Sequence, residues 1–85
     1  MPKSVKVSLG NSDQIKHFIN INMKSNCEVD VSNGKNYIDG KSIVGLMTLN
    51  LVDPLDVFLI GDPKKVNDVT EKYQSYNLIC EPWIR

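Results

Sequence analysis

Leu55-Asp56-Val57-Phe58-Leu59-Ile60-Gly61-Asp62-Pro63 reads as a strand running into the start of a helix. The first six residues are rich in β-formers, and Leu55, Val57 and Leu59 share one side of a strand whose side chains alternate. Gly61 breaks the run. Asp62 offers a carboxylate to the free backbone N–H groups of a helix start, and Pro63 at the first helical position loses no hydrogen bond. Val66, Val69, Tyr73 and Tyr76 follow at three- and four-residue steps, forming one apolar stripe suited to a core.

Upstream, Asp53-Pro54 is a turn, and Ser42 to about Asn50 reads as a short helix with Ser42 near its cap. Asp39-Gly40 breaks the chain before it. Cys27-Glu28-Val29-Asp30-Val31 alternates as a half-buried strand does, with Cys27 on its core side. Asn33-Gly34 is a two-residue hairpin signal, because both residues accept positive φ. Lys35 to Asp39 is then the returning strand. Val5-Lys6-Val7-Ser8-Leu9 alternates as well, and Ser12 or Asp13 in the polar loop after it is placed to cap a helix. Gln14 to Ser25 is open on pattern alone. Ile15, Phe18, Ile19 and Met23 share a helical face, yet Ile19 to Met23 alternates like a strand.

Eighty-five residues suit one domain. Ten basic and ten acidic residues cancel, and no Lys/Arg run exceeds two, which argues against a general nucleic-acid footprint. The longest apolar runs are far short of the roughly 20 residues of a membrane span. Met1-Pro2-Lys3-Ser4 is followed by no apolar signal core, so the expected location is cytoplasmic. Cys27 and Cys80, with the lone His17, make neither a disulfide scaffold nor a metal set. There is no phosphate-binding glycine loop and no nucleophile with a placed base, so no free-standing enzyme and no cofactor is expected.

Lys41-Ser42-Ile43-Val44-Gly45-Leu46-Met47, just after Asp39-Gly40, resembles the regulatory-serine segment of HPr, the histidine phosphocarrier family of the bacterial phosphoenolpyruvate-dependent sugar phosphotransferase system. The resemblance runs from about Val5 to Tyr76 and is strongest from Cys27 to Ile60. It needs about three residues deleted within the first helix. It decides Gln14–Ser25 in favour of helix. It also implies an α+β fold of order βαββαβα: an open-faced β-sandwich with a four-stranded, mostly antiparallel sheet and three helices on one face. Residues 77–85 look like a C-terminal addition to a single domain spanning 1–85.

In HPr proteins a histidine in a Gly-x-His-Ala-Arg-Pro motif carries the phosphoryl group. Alignment from the first strand puts Gln14 at that histidine, Lys16 at the arginine and His17 at the proline. Glutamine has no comparable nucleophilic nitrogen, because its amide lone pair is delocalised. The resemblance therefore implies a protein inactive as a histidine carrier. It is similar in this to the catabolite-repression HPr-like regulators of some Gram-positive bacteria, while lacking the alanine, arginine and proline around their site. By the same resemblance Ser42 is a regulatory phosphorylation site and Lys16, Lys41, Ile43, Val44 and Met47 form a partner surface. The implied partners are proteins: an enzyme I-like protein, an HPr kinase-like enzyme or a transcriptional regulator. The chain itself is expected to be a monomer or weak dimer that does not insert into membranes.

Each candidate has a plainer role. For Ser42 it is that of a helix cap only. Ile43, Val44 and Met47 are divided between an exposed docking patch and the core. His17 is either a relocated acceptor, giving an active phosphocarrier, or an ordinary side chain. Ile79, Trp83 and Ile84 either pack on their own domain or serve an oligomeric contact of a diverged one.

Overall fold

The computed structural model of the chain describes residues 3–47 and 54–79. Seven elements follow one another: β1 (Lys3–Val7), α1 (Ser12–Lys24), β2 (Glu28–Ser32), β3 (Tyr37–Asp39), α2 (Ile43–Leu46), β4 (Leu55–Ile60) and α3 (Pro63–Ser75). The strands form one sheet of order β1-β4-β2-β3, antiparallel at every pairing. This is the expected α+β architecture, with helices covering one face of the sheet.

The alternation in the strands decides which face is covered. Val7, Val29, Val31, Leu55, Val57 and Leu59 are buried beneath the helices, with Phe18 and Ile19 of α1 and Val66, Val69 and Tyr73 of α3 above them. The other face carries Lys6 and Asp56, cross-strand neighbours joined at 2.9 Å, and the Tyr37–Phe58 ring pair at 5.8 Å. The exposed ion pair adds little stability.

α3 starts as its sequence indicates. The Asp62 carboxylate accepts from the Lys64 N–H at 2.9 Å, and Pro63 occupies the first turn. Asp62→Ala removes that acceptor and is expected to cost about 1 kcal/mol, read as a melting temperature lower by roughly 4–8 °C. An unchanged melting curve would mean that water replaces the cap fully.

Several expectations are corrected. The cap of α1 is Asn11 rather than Ser12 or Asp13: its backbone is extended and its Oδ1 accepts from the Gln14 N–H at 2.9 Å. Met23 lies 64% exposed, and the buried face of α1 turns instead through Phe18, Ile19, Ile21 and Asn22. The β2–β3 connection has four residues, since Ser32 pairs with Tyr37. Asn33 Oδ1 accepts from the N–H groups of both Lys35 and Asn36, so only Gly34 needs positive φ (+99°). This loop consumes Lys35 and Asn36, leaving β3 three residues long. α2 is a single turn. Residues 48–50, into which the expected helix ran, and Asp53 lie outside the described residues.

Tyr76 leaves the stripe of α3 to become its half-exposed C-cap. Asn77 then takes a left-handed conformation (φ +59°). The Asn77 N–H donates to Gln74 O and the Leu78 N–H to Tyr73 O, the paired bonds of a helix stopped by a left-handed residue. That turn drives Leu78 into the core, and its carbonyl accepts from the Ser8 N–H at 2.8 Å while Ile79 pairs with Val7. The start of the expected addition, 77–79, is thus part of the domain. Cys80, Trp83 and Ile84 lie outside the described residues.

Candidate functional site

The segment from Asp39 to Met47 is built by short-range bonds. β3 ends at Asp39, whose carboxylate accepts from the Lys41 N–H at 2.9 Å and whose carbonyl accepts from the Ser42 N–H at 3.1 Å. This pair of hydrogen bonds to one aspartate turns the chain and sets Ser42 in extended conformation. Ser42 Oγ accepts from the Gly45 N–H at 3.1 Å and its carbonyl accepts from the Leu46 N–H at 3.1 Å. Ser42 is therefore the N-cap of α2, as its position in the sequence suggests.

One turn of helix has little stability of its own. Leu46, fully buried, pins α2 to the core, and Gly45 lets the turn sit close to Ile38 of β3. With the turn held from below, the remaining apolar side chains point outward: Ile43 is 46%, Val44 74% and Met47 70% exposed. Of the two roles open to these three, solvent exposure is what the structure gives. Lys41 flanks them, half-buried. The result is a small apolar platform with the Ser42 hydroxyl at its edge, while Lys41 lines a hollow with Asp30, Tyr37 and Asp39.

Gln14, Lys16 and His17 stand elsewhere, on the first two turns of α1. Gln14 closes the helix start: its N–H donates to Asn11 Oδ1, and its own Oε1 accepts from the Gly10 N–H at 2.6 Å. This reciprocal capping gives glutamine a structural purpose at this position. Lys16 is exposed. His17 is exposed too, but in the second turn of α1, past the free N–H groups, with its ring stacked on Tyr76 at 4.3 Å.

Beneath the Ser42 turn lies a polar cluster that the sequence pattern did not reveal. Asn22 of α1 is fully buried; its Nδ2 donates to the Gly40 carbonyl at 2.7 Å, and its Oδ1 accepts from the Tyr73 hydroxyl. Burial holds the Tyr73 phenol well above its ordinary pKa, and the buried thiol of Cys27 adds to the effect. The Gly40 N–H donates to Val29 O at 2.7 Å, so both backbone polar groups of this residue are bonded. Among the described residues no group of three or more His, Cys, Asp and Glu could hold a metal ion. No helix among them is long and apolar enough to cross a membrane.

No known protein family's sequence description matches the chain. No curated protein sequence matches it either.

Proposed function

We propose that this protein is an HPr-like regulatory docking module, which binds a protein partner through α2 and is controlled by phosphorylation of Ser42, and that it is not a carrier in a sugar phosphotransferase relay. The observation that carries the reading is the exposed triplet Ile43, Val44 and Met47 beside the Ser42 hydroxyl. A single turn with three exposed apolar side chains is a poor use of surface unless something docks there, and methionine adapts to varied partner shapes. A phosphate on Ser42 would place nearly two negative charges at the edge of that platform and remove the neutral cap hydroxyl. Docking of an apolar partner would weaken, and docking of one carrying arginine would strengthen.

The carrier role has less support. Gln14 lacks the nucleophile and is committed to capping α1. A phosphoryl group on His17 would lie beyond the N–H groups that stabilise anions at a helix start. Its formation would also disturb the stack on Tyr76.

Intact-mass spectrometry tests both roles. The protein is incubated with enzyme I and phosphoenolpyruvate, and separately with HPr kinase and ATP. The expected result is one phosphate in the second reaction only, abolished by Ser42→Ala. An acid-labile phosphate in the first reaction, abolished by His17→Ala, would restore the carrier and sink the docking reading.

A further inference from the structure

We propose that Asn22 is a positioning residue for the Ser42 platform: its side-chain amide, oriented by Tyr73, fixes the turn through Gly40 from which α2 projects. The proposal rests on the docking reading for its consequence, but not for its test.

Asn22 occupies the core-facing side of α1, where an aliphatic side chain of similar size would pack without needing any partner. A buried amide costs free energy unless its donors and acceptor are bonded. Here both ends are engaged, and the assignment is forced by chemistry. The Gly40 carbonyl can only accept, so the Asn22 nitrogen must face it; the Tyr73 hydroxyl must then donate to Oδ1. Tyr73 lies in α3 and Gly40 between β3 and α2, so the amide links two helices to the turn. That turn is gripped from the sheet side as well, through the Gly40 N–H on Val29 O. Two residues on stands Ser42, whose N–H is bonded to Asp39 within the same turn. Releasing the Gly40 carbonyl leaves its peptide tied only through the Lys41 N–H to Asp39 in the same turn, so the turn swings toward water and the first residues of α2 move with it.

Amide hydrogen exchange by NMR on the full chain tests this. Asn22→Leu removes the donor to the Gly40 carbonyl and leaves the Tyr73 hydroxyl unpaired. Asn22→Leu combined with Tyr73→Phe removes both buried partners and keeps the core apolar, which covers the case in which the single variant fails to fold. The expected result in either is that exchange at Gly40, Ser42 and Leu46 accelerates about tenfold more than exchange in the β2–β4 ladder, the signature of local opening. An equal rise in both places would make Asn22 an ordinary stabilising residue and overturn the proposal. Unchanged exchange at Gly40 and Ser42 would also overturn it, because the turn would then be held without the amide. These outcomes do not depend on whether Ser42 is ever modified, so they separate this inference from the docking reading.

Discussion

Gly40→Ala is expected to destabilise the protein by about 2–4 kcal/mol, a large share of the stability of a small domain. No positive φ is involved; the cause is close approach. A Cβ on Gly40 would sit 2.5 Å from Val29 Cγ1, 3.1 Å from Val29 Cβ and 3.1 Å from the Val29 carbonyl oxygen. None of these is the loose end of a flexible side chain. Val29 is 1% exposed at the centre of the sheet, and its branched side chain has few rotamers to choose from. The turn must therefore lift, which stretches both the Gly40 N–H bond to Val29 and the Asn22 bond to Gly40. Urea unfolding measures the loss. Val29→Ala, destabilising alone because of the cavity it leaves, removes the tightest of these contacts, the one at 2.5 Å to Cγ1, while the two at 3.1 Å remain. The double variant should accordingly be more stable than the sum of the two single losses by about 1–2 kcal/mol. Strict additivity, or a loss from Gly40→Ala below about 0.5 kcal/mol, would show that the turn adjusts freely.

The second large effect appears in alkali. Tyr73 is fully buried and its folded pKa is raised, so the folded state keeps the phenol proton after the unfolded chain has released it. The stabilisation is complete below the unfolded value of about 10 and is lost as pH rises above it, because the unfolded state then binds fewer protons. The slope is about 1.4 kcal/mol per pH unit, so roughly 2–3 kcal/mol goes between pH 10 and 12. Tyr73→Phe isolates this contribution. At pH 7 the variant leaves Asn22 Oδ1 without its donor and should be less stable by about 1–2 kcal/mol. Above pH 10 the gap should close and then reverse. Urea titrations of both proteins from pH 7 to alkaline pH decide it, and a constant gap would remove Tyr73 as the titrating group.

The readable parts of the sequence were those where a local rule and the tertiary demand coincide. Leu55 to Ile60 alternates because one face of β4 is covered and the other is not, and Asp62-Pro63 starts α3 with groups that act within one turn. Ser42 was legible as a cap for the same reason. Failures came where a polar side chain does structural work at a distance. Asn22 holds a core position that an apolar pattern assigns to no asparagine, which shifted the expected helical face toward Met23. Its partners lie 18 and 51 residues away, beyond any spacing rule. Asn33 bonds two amides instead of adopting positive φ itself, so a short hairpin became a longer loop. Leu78 was read as an appendage because its burial depends on the left-handed turn at Asn77.

The strand order has a consequence for how the molecule is assembled. β4 lies between β1 and β2 and pairs with both, Lys3 with Leu59 on one side and Glu28 with Ile60 on the other. A nascent chain that ends before Leu55 has one strand pairing to make, the β2–β3 hairpin, and isolated hairpins are marginal in water. β1, synthesised before the other three described strands, waits without a strand neighbour until β4 has left the ribosome. Closure of the sheet is thus a late event that joins Lys3 to Leu59 across the intervening chain, and the loop-closure entropy of that pairing is paid before its contacts reward it.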